Sequence, residues 1–122
     1  MTDQKNYYIT TPIYYVNDKP HLGHAYTTVA CDVLARFKRL DGYNVKFLTG
    51  TDEHGLKVFQ AAEKKGITPQ EMVDNLSVTF REMNDLMGIS NDQFIRTTDE
   101  AHKLSAQAIW QKMVDAGRHL FR

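Results

Sequence analysis

The sequence predicts an α/β fold of about three parallel strands with flanking helices, the first half of a doubly wound parallel sheet. Three observations carry that prediction. Extended β-branched and aromatic runs alternate with segments whose apolar residues recur every three or four positions. Successive strands lie about one crossover apart, which demands parallel pairing with right-handed connections. Twice, a strand runs into a polar turn that opens a helix, before residue 25 and again at 50–55.

In chain order, residues 1–6 are polar and read as a loose end. Residues 7–13, Tyr-Tyr-Ile-Thr-Thr-Pro-Ile, read as a buried strand whose regular pairing stops near Pro12. A polar turn at 14–20 leads to His21-Leu22-Gly23-His24 and a helix over 25–40. The expected core stripe of that helix is Leu22, Tyr26, Val29, Val33, Phe37 and Leu40, and Asp41-Gly42 ends it. A second strand at 45–49 is followed by a turn at 50–55 and a helix over 56–65 that Gly66 stops. Thr68-Pro69-Gln70-Glu71 reads as a capping box, with Thr68 as N-cap and Glu71 reaching back. The helix it opens sets Met72, Leu76, Phe80, Met83 and Met87 on one core face and stops at Gly88. A third strand over 93–97 leads to a helix over 99–116, which Gly117 terminates.

The 122 residues are expected to form one domain, and the hydrophobic share of 42% is ordinary for a globular protein. Fifteen basic and fifteen acidic side chains cancel, so composition gives no general nucleic-acid or membrane surface. The single cysteine, Cys31, cannot form an internal disulfide, and neither a signal-peptide core nor an 18-residue apolar run is present. A cytoplasmic protein with no membrane partner is expected.

The turn at 21–24 follows a strand and opens a helix, where free backbone N–H groups attract phosphate. Imidazoles three residues apart share a face there. Either as N–H donors or as imidazolium charges, His21 and His24 would stabilise charge building on phosphorus during in-line displacement. Gly23 leaves room for a ligand ring against the backbone, and Asp52 suits an amine. Both turns are expected on one rim, so that His21, His24, Asp52, Glu53 and His54 face one crevice. The same residues allow other readings. Histidines at this spacing also serve as helix caps or surface groups, and His21, His24 and His54 could hold a metal, although no thiolate is nearby and i, i+4 spacing is missing. Tyr8, Tyr14, Tyr15 and Tyr26 read as core or rim residues.

Taken together, Tyr-Ile-Thr-Thr-Pro-Ile-Tyr-Tyr at 8–15, Asn17, Pro-His-Leu-Gly-His-Ala-Tyr at 20–26, Asp32, Ala-Arg-Phe-Lys-Arg-Leu at 35–40 and Phe-Leu-Thr-Gly-Thr-Asp-Glu-His-Gly at 47–55 closely resemble the start of bacterial methionyl-tRNA synthetases. Ile-Ser-Asn-Asp at 89–92 and Phe-Ile-Arg-Thr-Thr at 94–98 extend the likeness over about 7–117. The turn at 21–24 is similar to the class I signature, His-Ile/Leu-Gly-His. The resemblance implies that residues 1–122 are the N-terminal portion of a Rossmann-like nucleotide-binding catalytic domain. It also implies a two-step ligase: the carboxylate of methionine attacks the α-phosphate of Mg2+·ATP, and the methionyl group then passes to methionine tRNA. Within it, His21 and His24 would be catalytic, binding ATP together with Gly23. Ile13 and Tyr15 would shape the thioether pocket, and Asp52 would hold the methionine ammonium. ATP with Mg2+ enters as substrate, and no zinc site is expected within the chain.

Such synthetases continue through a second half-sheet, a connective insertion, a Lys-Met-Ser-Lys-Ser loop and an anticodon-binding domain, through which tRNA is mainly held. The chain alone is therefore expected to be inactive or to act as a ligand-binding fragment, with another nucleotidyltransferase using the same turn as the remaining alternative. Its first strand is expected to present a free edge that invites self-association. The last residues, Arg118-His-Leu-Phe-Arg122, depart from the family's Asp-Ile-Tyr continuation. One extra C before the codons GAC ATC TAT TT would encode Arg-His-Leu-Phe, so a frameshifted, truncated gene product is the expectation for this atypical tail.

Overall fold

The computed structural model describes residues 5–117 and arranges them around one long strand. The elements are β1 (Asn6–Thr10), β2 (Tyr14–Tyr15), α1 (Leu22–Leu40), β3 (Asn44–Asp52), α2 (Leu56–Lys65), α3 (Pro69–Leu86), β4 (Gln93–Arg96) and α4 (Glu100–Asp115). All pairings with β3 are parallel, as the alternation of strands and helices predicts. Leu48 faces both Thr10 and Gln93, and Thr51 faces both Tyr14 and Arg96, so β1 and β2 flank one side of β3 and β4 the other.

The single strand expected at 7–13 is thus two. Between the pairs Thr10–Leu48 and Tyr14–Thr51 the first chain advances by four residues and β3 by three. The Thr11 N–H still donates to the Leu48 carbonyl at 3.1 Å, but Pro12 has no N–H to offer, and the ladder breaks there. Tyr14 and Tyr15, assigned to the turn by the sequence, resume it. β3 in turn runs three residues beyond its expected end at Thr49. Gly50 marks a close approach of backbones rather than a turn: a Cβ there would lie 2.0 Å from the Ile95 carbonyl oxygen.

Helix α1 overturns the expected core stripe. Its buried residues are Thr28, Asp32 and Ala35, while Leu22, Tyr26, Val29, Val33, Phe37 and Leu40 are exposed. Polar groups can occupy the inner face because each has a partner. Asp32 accepts from the Ser90 N–H at 2.7 Å, the Ser90 hydroxyl at 2.5 Å and the Arg36 Nε at 2.7 Å, which ties α1 to the loop before β4.

The apolar core lies instead with α2 and α3. Val58, Ala62, Met72, Val73, Leu76 and Phe80 pack with Tyr14 and Val16, each large side chain contributing roughly 1.5–3 kcal/mol of burial. Met83 and Met87, expected in that core, are only partly buried, and Ala61, Ile67 and Phe94 pack at its margin. The Thr68 hydroxyl caps α3 by accepting from the Glu71 N–H at 3.1 Å, and among the described residues Glu71 makes no return bond. Gly66 ends α2 with φ 68° and Gly117 follows α4 with φ 67°, as expected of both. Helix α4 buries no residue, and among the described residues the outer edge of β1 has no strand partner. No described helix is long and apolar enough to cross a membrane. The tail at 118–122 lies outside the described residues.

Candidate active site

The break at Pro12 and the start of α1 bring the first site residues together. His21 is the N-cap of α1, in extended conformation, and its Nδ1 accepts from the Gly23 N–H at 3.0 Å. His24 closes the reciprocal arm: its Nδ1 accepts from the His21 N–H at 3.1 Å. The pair forms a capping box made of imidazoles, with the rings stacked at 3.8 Å between centroids. The reading of these histidines as caps is therefore realised, and it fixes their chemistry. With each Nδ1 accepting, the neutral rings carry their proton on Nε2. A proton added at Nδ1 would break the cap. Of the two electrostatic readings open to the sequence, the geometry favours neutral N–H donors, and neither Nε2 is engaged by another described residue.

Gly23 has a second reason to be glycine. A Cβ there would lie 2.9 Å from Cε1 and 3.0 Å from Nδ1 of His21, pressing on the capping ring. His24 is wedged edge-on against Tyr14 at 4.8 Å and Phe80 at 5.2 Å. Burial there, and then the neighbouring His21, push the His24 imidazole below its ordinary pKa, which again favours the neutral form.

Both histidines line a cleft of about 430 Å³ together with Ile13, Tyr14, Tyr15, Asn17, Asp18 and Lys19. That volume is within the range of small-molecule sites. Ile13 and Tyr15 line it from either side of Tyr14, where the strand resumes, 43% and 57% exposed. Lys19 adds a cation beside the imidazoles; the sequence reading overlooked it, although a lysine just before Pro20 in a turn expected to meet phosphate was a usable signal. Asp52 is the register partner of Tyr15, and its carboxylate accepts no hydrogen bond among the described residues.

Asp52, Glu53 and His54 are all absent from the lining of this cleft, although Asp52 stands beside Tyr15 in the sheet. Successive side chains leave a strand on opposite faces, so with Asp52 on one side its neighbour Glu53 turns to the other. There Glu53 is buried against Arg96, and His54 Nε2 lies 3.2 Å from the Thr97 carbonyl oxygen. Both line a separate hollow of about 140 Å³ with Thr98 and Lys103. The three-histidine metal reading is thereby lost, and among the described residues no group of three or more His, Cys, Asp or Glu side chains gathers as a metal site.

The arrangement suits an anionic phosphate: a helix N-terminus, two fixed N–H donors and a lysine converge on one cleft. Comparison with known proteins points the same way. The family model described as tRNA synthetases class I (M) matches residues 7–120. The methionine–tRNA ligase of Mesorhizobium japonicum is 60% identical over 114 residues, which is 93% of this chain and 22% of the relative. That of Rickettsia bellii is 62% identical over 111 residues, 91% of this chain and 22% of the relative. Among solved structures, the Mycobacterium tuberculosis methionyl-tRNA synthetase bound by methionyl-adenylate superposes with a TM-score of 0.89 at 51% identity, covering 93% of this chain and 22% of that one. The chain thus spans about a fifth of the length of the curated relatives it matches.

Proposed function

This chain belongs to the class I tRNA synthetases of the methionine type, and from that premise we propose that it supplies one side of a methionine–tRNA ligase active site. Residues 1–122 are, in this reading, the N-terminal portion of the Rossmann-like catalytic domain. A carboxylate oxygen of methionine attacks the α-phosphorus of Mg2+·ATP. An O–P bond forms as the bond from that phosphorus to its bridging oxygen breaks, and pyrophosphate leaves with the bridging oxygen. The methionyl group then moves from the adenylate to the terminal ribose of methionine tRNA, releasing AMP.

The proposed roles follow from the chemistry of the cleft and of Asp52, which stands beside Tyr15 in the sheet. His21 and His24 donate through Nε2–H to phosphate oxygens whose charge grows in the transition state, and Gly23 lets ATP approach the backbone. Ile13 and Tyr15 offer apolar surface to the thioether, and the free carboxylate of Asp52 takes the ammonium. Mg2+ arrives with ATP as part of the substrate. Transfer RNA is held mainly by parts of the longer ligases, the protein works in the cytoplasm, and the free edge of β1 lets copies of this chain associate.

The observation that supports this reading best is the histidine capping box, whose two imidazoles line a cleft together with Ile13 and Tyr15. The test is calorimetric titration with a hydrolysis-resistant methionyl-adenylate analogue beside methionine-dependent ATP–pyrophosphate exchange. Saturable binding that His24→Ala and Asp52→Ala each weaken is expected. A folded chain that does not bind the analogue overturns the reading. Binding without exchange assigns this chain to ligand recognition, with the remaining charge stabilisers supplied by the longer ligase.

A further inference from the structure

We infer that Glu53 is a positioning residue for Asp52: its buried carboxylate, gripped by Thr51, Arg96 and Thr98, locks the end of β3 so that the Asp52 carboxylate is held free for a ligand's ammonium group. The inference rests on the reading of Asp52 as an ammonium ligand given above.

The contrast between the two adjacent acids is the starting observation. Asp52 is partly exposed and accepts nothing among the described residues, whereas the Glu53 side chain has no exposed surface. Glu53 Oε1 accepts from the Thr51 hydroxyl at 2.8 Å and from Arg96 Nε at 2.8 Å, and Oε2 accepts from the Thr98 hydroxyl. Its backbone N–H donates to the Thr97 hydroxyl at 2.8 Å, and the Thr97 N–H donates to the Thr51 carbonyl at 3.2 Å. Arg96 is braced in turn by Asp74 of α3 at 2.6 Å. The hydrogen bonds it donates to Glu53 and Asp74 hold its guanidinium firmly protonated against the opposing effect of burial. Three side chains, from β3, β4 and the turn after β4, thus donate to one carboxylate.

Such a network is a poor way to gain stability, because desolvating an ion pair offsets much of its attraction, and well-packed apolar side chains would serve the core better. What it does supply is direction. Thr51 is fully buried, and with Thr51 and Glu53 both anchored on one face, the residue between them cannot rotate to that face. Among the described residues Arg96 pairs with Glu53 and Asp74, and Asp52 is left out of its ion pairs. Reversing the register of this turn would bury Asp52 and free Glu53.

The test compares L-methionine with its deaminated analogue 4-(methylsulfanyl)butanoate on the full chain. Glu53→Gln is expected to weaken methionine binding about tenfold while leaving the analogue within about twofold, and adding Asp52→Asn should cost little more. An equal loss for both ligands, or full additivity with Asp52→Asn, overturns the inference, since a merely structural defect would not single out the amine. Amide hydrogen exchange reads the anchor without any ligand. Glu53→Gln is expected to speed exchange at residues 52–55 and leave the first turn of α1 unchanged, and no change at 52–55 overturns the inference outright. A folded wild-type chain that shows the exchange contrast but binds no methionine defeats the ligand assignment and leaves the hold of Glu53 on Asp52 standing. Thr98→Val, which removes one hydroxyl, provides the same contrast at smaller amplitude where Glu53→Gln fails to fold.

Discussion

The Tyr14 hydroxyl lies 3.0 Å from the Thr28 hydroxyl, and this buried bond fastens the resumed first strand to the helix that carries the histidine pair. Thr28 also donates to the His24 carbonyl at 2.9 Å, and the Tyr14 ring packs against both His24 and Phe80. Tyr14→Phe keeps the ring and removes the bond, so a loss of about 1 kcal/mol in urea unfolding is expected. Tyr14→Ala also empties the ring's place in the core and is expected to cost about 3–5 kcal/mol. Equal losses for the two variants would show that the hydroxyl, not the packing, dominates.

Gly50→Ala tests the contact between β3 and β4. A methyl group cannot sit 2.0 Å from a carbonyl oxygen, and that oxygen belongs to backbone with little freedom to retreat. Destabilisation of at least about 1–3 kcal/mol is expected, visible as a lowered melting temperature by circular dichroism.

Gly23→Ala separates stability from function. Alanine favours the helix by about 1 kcal/mol over glycine, while displacing the His21 cap costs about 1 kcal/mol, so the net stability change is expected to be near zero. The Nδ1 nitrogen resonance of His21, however, is expected to move as its bond from Gly23 is lost, and binding of the adenylate analogue to fall.

Two titratable groups, an imidazole and a carboxyl, divide the pH dependence. For His24 the folded pKa lies below the unfolded value near 6.5, so its contribution is complete above that pH and is lost as pH falls through the folded pKa. For Asp32, burial alone would raise the pKa, but hydrogen bonds from Ser90 and Arg36 outweigh it and hold the carboxyl below the ordinary range. Its contribution is complete above the unfolded value near 3.9 and fades at lower pH. Urea unfolding from pH 3 to 8 is expected to show both declines, with His24→Gln flattening the upper one and Asp32→Asn the lower.

Much of the order of elements was legible because glycine and proline punctuate it: Pro12 breaks the first strand, Pro69 opens α3, and Gly66, Gly88 and Gly117 follow helix ends. The periodicity of α1 revealed an apolar face but not which way it turns. That choice depends on Tyr14 and Ser90, which reach Thr28 and Asp32 across 14 and 58 positions of sequence. At the site, the histidine turn together with Ile13 and Tyr15 could be read from the motif. The separation of Glu53 and His54 from Asp52 could not, because it is decided by Arg96 and Thr97, which only the β3–β4 pairing brings near.

The imidazole capping box has one further consequence, in entropy. A histidine free in solution must surrender its rotamers when it grips a ligand, at about 0.5–1.5 kcal/mol for each side chain immobilised. Here His21 and His24 are already bonded to backbone and stacked on each other. Their freedom is given up when α1 forms, once, for every ligand that later arrives. In the proposed role, hydrogen bonds from the two Nε2–H groups would pass into affinity with little lost to ordering, a helix cap serving to make the proposed phosphate-binding turn rigid in advance.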